Sequence, residues 1–530
     1  MDNKRVLLAV ALSFLVLMGF QYFFPAQQPA PQPAQTEQVA SGQAVAPLPA
    51  SNADPVNTEF ILPAQGETIT IETPLYTAAV NSSGGILDSF LLKKYFDTIE
   101  PDSPMVDIVG QGAASKAPLG LIFNGLPTWS KGAWETSATG HINVNEEYTL
   151  TLTAYVSGYR IARHLTFYPD TYYIAENVEV TNTGSVASLG RLTFTGAANK
   201  FVKEESRYNM TRIDYLLGDE RTEVDDEDDL AAGIQTAGQF KWGAINSNYF
   251  LFALMPMSEE ATLKARIQDD IFRIAFEETR TFDPGKTVEF NAGYYLGPSD
   301  RELLSQAPEE LGLVTNFGWF DFLAKFLLVG LDWCYDNVYQ NYGVAILLLT
   351  ILIKLALWPL SQISYKSMKQ MQRLQPHLAQ LKEKYGDDKE RMQKEMMQLY
   401  KTYKVNPASG CLPIFIQLPV FFGFYRALFG AVELRHASFI EHLPFTDIIW
   451  LADLSAKDPF YVTPIIMGGL MFLQQKLSPQ AGDPMQQKIM LFMPLMMTVV
   501  FLNFPSGLVL YWLMNSIVSI IQQVSVLKSK

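Results

Sequence analysis

Cysteine is almost missing from this chain of 530 residues: there are two, Cys334 and Cys411, and the second sits at the mouth of an apolar run. A disulfide framework is therefore excluded. No CxxC pair, Cys/His cluster or His-rich tract supplies metal-ligand spacing, so no metal is expected. No GxxxxGK[ST] stretch offers a phosphate cradle, which excludes a nucleotide motor. Positive charge is in deficit: 40 Lys and Arg stand against 54 Asp and Glu, a net charge of -14 that argues against a nucleic-acid-binding body. Nucleophile and base pairs are not recognisable either, and neither a catalytic residue nor a cofactor is expected.

What the chain has is long apolar runs. Gly343–Leu360, GVAILLLTILIKLALWPL, is apolar throughout except for Lys354. About 18 helical residues reach roughly 27 Å, close to the ~30 Å hydrocarbon core, so this stretch is predicted to cross a membrane. An ammonium inside it costs about 3 kcal/mol on insertion scales. Two readings stay open from the residue alone: Lys354 faces a wet recess, or it snorkels to the headgroups.

Upstream, Val6–Phe24 is an apolar run behind Lys4 and Arg5 that ends in Tyr22, Phe23 and Phe24 without a small-x-small cleavage pattern. Residues 1–24 are thus read as an uncleaved transmembrane anchor with a cytoplasmic N-terminus. Residues 25–56, rich in Pro, Ala and Gln, cannot build a core and form a tether. From 57 to 310 short alternating segments recur, among them Thr68–Glu72, Thr149–Val156, Tyr159–Tyr168, Tyr172–Thr181, Leu192–Phe194 and Thr287–Tyr295. Bounded by Gly, Pro, Asn or Asp, they predict one large all-β sandwich. The acidic run Glu223–Asp229 reads as a solvated loop, and His141 and His164 read as structural.

Residues 311–340 are hydrophobic, yet Asp321, Lys325, Asp332 and Asp336 fall on one helical stripe opposite Phe320, Leu323, Leu327 and Leu331. A helix lying in the interface plane is expected there, not a span. After the span at 341–360, residues 361–404 carry ten Lys and Arg against five acids, which makes this segment cytoplasmic. Met368, Met371, Leu378 and Leu381, then Met392, Met396, Leu399 and Tyr403, lie near helical spacing; Gly386 separates the sets, and Asp387 with Glu390 resembles a capping box. This predicts a helical hairpin whose methionines are either its core or a docking surface for hydrophobic clients.

Further spans are expected at 405–430, 461–477, 489–504 and 507–527. The acidic loop 431–460 suits the outer side, while the loop 478–488 and the tail 528–530, flanked by Lys476, Lys488, Lys528 and Lys530, suit the inner side. Six spans with both termini inside satisfy every flank and leave residues 25–340 outside. The runs near Met467 and Met497 are short, about 15 or 16 residues or roughly 23 Å, and would thin the bilayer. Thr350, Gln417, Asn515, Ser516, Ser519 and Gln522 are polar groups within spans. They suit one hydrated recess with Lys354, or separate interhelical hydrogen bonds.

Three stretches carry a resemblance: VNPASGCLPIFIQLPVF at Val405–Phe421, DPMQQKIMLFMP at Asp483–Pro494 and NFPSGLVLYWLMNSIVSIIQQ at Asn503–Gln523. With them the chain resembles, over essentially its whole length, the YidC-type membrane protein insertases of Gram-negative bacteria. That resemblance implies a polytopic α-helical protein of the inner membrane, with six transmembrane helices, a five-helix insertase core and a large periplasmic all-β supersandwich domain. It implies a groove open to cytoplasm and lipid, with Lys354 where many members carry arginine, Thr350 and Gln417 in its lining, and Tyr511 and Trp512 as an aromatic pair. Client contacts would lie on 412–430 and 489–504. The implied partners are nascent membrane proteins, the Sec translocon with its accessory subunits, the ribosome and membrane lipids, with no nucleic-acid function.

Lysine lacks the planar fork of arginine, so charge attraction rather than bidentate capture is expected at 354. Relatives often carry a longer basic tail than Lys528 and Lys530, so ribosome contact is expected on 361–404. Two rivals compete with an insertase. A secondary transporter of a small anion would show related halves, and no internal repeat is evident. A tethered carbohydrate-active protein would need a carboxylate pair for sugar chemistry, and none is recognisable in the β region.

Overall fold

The structure is a computed structural model that describes residues 55–56, 66–201, 209–315, 321–385, 388–403, 412–477 and 484–528. The expected anchor, nearly all of the tether, the break at Gly386 and Asp387, Cys411 and Lys530 lie outside the described residues. Alternating sequence becomes alternating burial: along Tyr173–Asn182 every second side chain points inward, Ile174, Val178 and Val180 among them. The six segments singled out above are all strands, at 68–72, 148–156, 159–167, 173–182, 188–199 and 287–298. They belong to sheets of five, nine and six strands whose inner faces share one hydrophobic core. Leu311 and Val314, in the 3-10 turn Leu311–Thr315, join that core, so the domain's packing extends beyond 310.

The acidic run is not a loop. Glu220–Val224 is a strand and Glu227–Ala232 a helix, whose N-cap Asp226 accepts hydrogen bonds from the backbone N–H groups of Asp228 and Asp229. Acids in a first turn meet the positive end of the helix dipole, so the charge that suggested solvated coil instead favours a helix start.

One ion pair is sealed inside the sandwich. Arg163 and Glu176 are fully buried and meet at 2.6 Å, and the Tyr294 hydroxyl donates to the same carboxylate at 2.7 Å. Arg163 also donates to the carbonyls of Leu119, at 2.8 Å, and Gly84. Gly84 has φ +89°, and a side chain there would meet the Trp129 backbone, so only glycine fits this approach.

Among the described residues eight helices of fourteen or more residues follow: α1 Asp321–Asn337, α2 Tyr342–Ala356, α3 Trp358–Tyr385, α4 Lys389–Thr402, α5 Leu412–Phe429, α6 Val462–Leu477, α7 Pro484–Phe501 and α8 Ser506–Lys528. By length and apolarity α8 qualifies as a membrane span; α1 and α2 together would make a second, but they meet at a bend of 120°. That bend excludes one straight span through both. α1 has three faces rather than two. Its charged stripe, with Lys325 on Asp321 at 2.7 Å, separates a buried face of Ala324, Leu327, Leu328 and Leu331 from an exposed apolar ridge of Phe322, Phe326, Val329 and Trp333. The helix thus presents one packed, one charged and one exposed apolar face.

Several expected boundaries shift. α2 ends at Ala356 rather than 360, because Pro359 has no N–H to donate to Leu355 and the ladder breaks there. The hairpin helix α3 therefore starts inside the stretch assigned to the span. α7 begins at Pro484, within the expected loop 478–488, and ends at Phe501 rather than 504. Proline at a helix start loses nothing, since its missing N–H would have no partner. The cap of α4 is Asp388, not Asp387: its side chain accepts from the Arg391 N–H at 3.0 Å.

Glu278, 2% exposed, sits in the six-stranded sheet with Arg280 at 3.4 Å. Burial outweighs the nearby arginine and pushes its carboxyl up from 4.5 to about 7. Between those values the folded state holds a proton that the unfolded chain has lost, so stability falls as pH rises through that window. Glu278→Gln should remove the fall, with a denaturation midpoint equal to wild type at pH 4.5 and higher at pH 8, by about 3 kcal/mol at most. Denaturant titrations at the two pH values check this.

Candidate functional site

The polar groups of α8 lie on one helical face. Tyr511, Asn515, Ser519 and Gln522 recur at four, four and three residues, and all are buried. From α2, Thr350 and Lys354 are likewise four apart and buried. Thr350 donates back to the Ile346 carbonyl at 2.7 Å. Lys354 crosses the interface: its Nζ donates to Ser519 Oγ at 2.8 Å, and that hydroxyl donates to the Asn515 carbonyl at 2.7 Å. An ammonium has three donors, and among the described residues Ser519 is the one group that accepts from it. No carboxylate there comes within ion-pair reach.

Around that bond, polar atoms are left over. Asn515 Oδ1, Ser516 Oγ and both amide atoms of Gln522 are buried without a hydrogen-bond partner among the described residues. Each such group costs about 1–3 kcal/mol unless water or another polar group satisfies it. Lys354 itself is 8% exposed. In place of the expected open notch, the structure has a closed polar seam between α2 and α8, with the ammonium turned toward Ser519 rather than along α2 to its end.

The remaining residues divide. Gln417 on α5 donates to the Tyr511 hydroxyl, and the Tyr511 ring stacks on Phe424 at 4.3 Å, which joins both to the seam. Trp512 faces elsewhere, packing on Phe421 at 5.0 Å and Phe501 at 5.2 Å, between α5 and α7. The expected aromatic pair is thus split by the 100° step between adjacent helical residues. Sequence reasoning missed Ser364 and Tyr365 at the start of α3; Ser364 is fully buried, and Tyr365, 8% exposed, lies beside Ser519. Their signal was only that Pro359 starts a new helix a turn earlier.

In the hairpin, Met371 and Leu374 are buried between α3 and α4 against Leu378, Leu399 and Tyr400. Met368, Met392 and Met396 are half-buried, while Met397, not singled out above, is 52% exposed. Met371 is therefore hairpin core and leaves the set of candidate client contacts. Among the described residues no group of His, Cys, Asp and Glu could hold a metal ion.

Residues 68–329 match the family described as YidC periplasmic domain, and residues 333–530 match the 60Kd inner membrane protein family. The membrane protein insertase YidC of Maridesulfovibrio salexigens is 53% identical, over 99% of this chain and 98% of the relative. The chain belongs to the YidC family of membrane protein insertases. The YidC of Nitratidesulfovibrio vulgaris strain DP4 is 47% identical over 99% of both chains. Membership of the YidC family accords with the observed order of a β-rich domain, periplasmic by that match, followed by helices of an inner membrane protein. Among solved structures, an active YidC insertase covers 88% of this chain and 96% of its own at 19% identity and TM-score 0.37. A putative aldose 1-epimerase from Escherichia coli K12 covers 44% of this chain and 100% of its own at 12% identity and TM-score 0.31. Neither score supports an argument about site or activity.

Met371→Ala should open the hairpin, since truncating a buried methionine costs about 2–5 kcal/mol. Met397→Ala should change stability by less than about 0.5 kcal/mol. Amide hydrogen exchange across α3 and α4 separates the two: only the first variant should accelerate it.

Proposed function

We propose that this chain inserts integral proteins into the inner membrane and assists their folding, alone or beside a Sec translocon, without hydrolysing nucleotide. The observation that carries the proposal is the seam of Lys354, Ser519, Asn515, Ser516 and Gln522, a buried cation among unpartnered polar atoms in a chain of the insertase family. Six spans with both termini cytoplasmic, as the flanking charges suggest, would open this seam toward the cytoplasm at the end of α2. Ribosome contact would fall on the hairpin of α3 and α4.

A client brings an apolar segment and a short polar tail that must cross. Separation of α2, α3 and α8 gives that tail hydrogen-bonding atoms and a positive charge partway into the bilayer, which lowers the desolvation cost of entry. Nothing new has to be built, because those atoms already lack partners among the described residues. An acidic tail moving outward also gains about 2.3 kcal/mol per charge per 100 mV of membrane potential. The apolar segment would meet the exposed ridge of α7, Phe492, Leu495, Met496 and Val499, with Leu418 and Phe422 of α5, before passing into lipid.

Reconstituted Lys354→Ala should insert clients with acidic tails several-fold less than wild type while inserting apolar-tailed clients nearly as well, and Lys354→Arg should insert both. Ser519→Ala should fall between. Equal loss for both client classes in the alanine variant, with unchanged folding, would remove the seam charge from the mechanism.

A further inference from the structure

The antiparallel strands Ile440–His442 and Ile449–Leu451 form a hairpin between α5 and α6. Its turn is held by its own backbone: the Leu443 N–H donates to the Ile448 carbonyl at 2.8 Å, and the Thr446 N–H to the Leu443 carbonyl at 3.0 Å. Phe445, at the tip, is fully exposed, more so than any other large apolar side chain among the described residues. Pro444, Ile448 and Ile449 beside it are exposed as well. Single apolar residues on a surface need no explanation, but a cluster in one turn is a patch. The turn itself does not call for phenylalanine: φ at 445 is +68°, a left-handed conformation that glycine or asparagine takes with less strain.

The base of this hairpin is fixed where four helices start or end. It follows α5 in the chain. Asn341, the N-cap of α2, donates to the Phe439 carbonyl at 3.2 Å. Trp450 Nε1 donates to Asp458 at 2.9 Å, and the same carboxylate accepts the Thr463 N–H in the first turn of α6. At the start of α8 the N–H groups of Ser506 and Gly507 donate to the carbonyls of Ala456, at 2.7 Å, and Leu454, at 3.0 Å. If these helices are the spans read above, all four ends are outer ends, and the hairpin is rooted where the chain leaves the hydrocarbon. Three residues of strand reach about 10 Å, and the headgroup layer is roughly 5–7 Å deep. The start of α6 beside Trp450 is apolar on its outside too, with Phe460, Tyr461, Ile465 and Ile466 exposed.

Charge selects the surface. Between Arg435 and Lys457 there is no Lys or Arg, and Glu441 and Asp447, on either side of the tip, are exposed. A basic patch would seek anionic lipid, whereas two carboxylates suit headgroups that present an ammonium. We propose that the hairpin lies in the outer headgroup layer, with Phe445 at the acyl boundary and Glu441 and Asp447 among the ammonium groups of zwitterionic lipid. Aromatic side chains favour that depth. The proposal rests on the spans of the function read above. Seated there, the hairpin fixes the depth of the outer ends of α2, α6 and α8.

The test uses the full chain in phosphatidylcholine proteoliposomes, with Cys334 and Cys411 changed to alanine and a nitrobenzoxadiazole label on one introduced cysteine at a time. In Phe445→Cys the label should be quenched several-fold more by lipid with a nitroxide near the headgroup than by lipid with one near the acyl end. It should also be several-fold less open to iodide than the label of Glu259→Cys, an exposed site beyond the end of the strand Phe250–Met255 that is remote from Asn248. With the label on Ile448→Cys, adding Phe445→Asp should remove most of the lipid quenching. Both positions are exposed, so melting curves should match the parent chain. A label at 445 as open to iodide as that at 259 overturns the proposal. Shielding from iodide without lipid quenching overturns it too, and points to a second copy of the chain as the cover. Replacing half of the lipid with phosphatidylglycerol should weaken the quenching at low salt, and equal quenching in both overturns the headgroup preference. A label on Ile465→Cys keeps the two readings apart. Lipid quenching at 465 without quenching at 445 removes only the seat of the hairpin, and its absence at 465 removes the spans on which the proposed function rests.

Discussion

One hydrogen bond organises the helical half of the molecule: the Lys354 ammonium to Ser519 at 2.8 Å. Burying a charge between helices is unfavourable unless neighbours supply acceptors, and a single hydroxyl is a thin supply for three N–H groups. The polar face of α8 exists for that reason. Were it apolar, α2 could not pack on α8 with Lys354 turned inward. The break before Pro359 belongs to the same arrangement, because it ends α2 just past the lysine and lets α3 bring Ser364 and Tyr365 against the seam.

The β domain is mounted on this helical half through polar contacts with backbone groups. Arg435, just beyond α5, donates to the carbonyls of Phe96 at 2.6 Å and Asp97 at 3.0 Å, and its guanidinium lies over the Phe250 ring. Asn248 donates to the Phe429 carbonyl at the last turn of α5, at 3.3 Å. On the helical side, Asn341 Nδ2 reaches the Phe439 carbonyl at 3.2 Å, and Asp458, 1% exposed, accepts from the Thr463 N–H at 2.7 Å as α6 begins. Carbonyls at helix and strand ends have no partner of their own, so side-chain donors there add order at little cost. The segment 431–460 thus works as a bracket rather than as a free connection.

Much of this was legible from residues alone, and the misses have physical causes. Alternation located strands such as Tyr173–Asn182, where one face is buried, a period-two signal that survives without knowledge of partners. The acidic run was misread because charge density suggests solvation, whereas Asp226 followed by three acids is also an N-terminal helix signature. Hydropathy overran the end of α2, since Leu357, Trp358 and Leu360 are apolar whether or not the helix continues through them. Lys354, Thr350 and Asn515 announced themselves as polar residues in apolar runs. Whether they face an open recess or a closed seam depends on how tightly two helices approach, and no sequence period encodes that distance.

The closed state bears on the insertion we propose. A permanently wet notch would leave a conductive path for ions partway through the bilayer, while a seam sealed by strong, fully satisfied hydrogen bonds would open too rarely to serve a client. The observed arrangement lies between: Lys354 holds one partner, and Asn515, Ser516 and Gln522 keep atoms unsatisfied. Those deficits raise the energy of the closed form without breaking it, since each is a modest penalty of about 1–3 kcal/mol. Whatever supplies partners to these atoms, water first and then a polar tail, binds the open form better than the closed one, and that difference in affinity is what shifts the equilibrium. In the function we propose, an incompletely satisfied seam would couple opening to the arrival of a client.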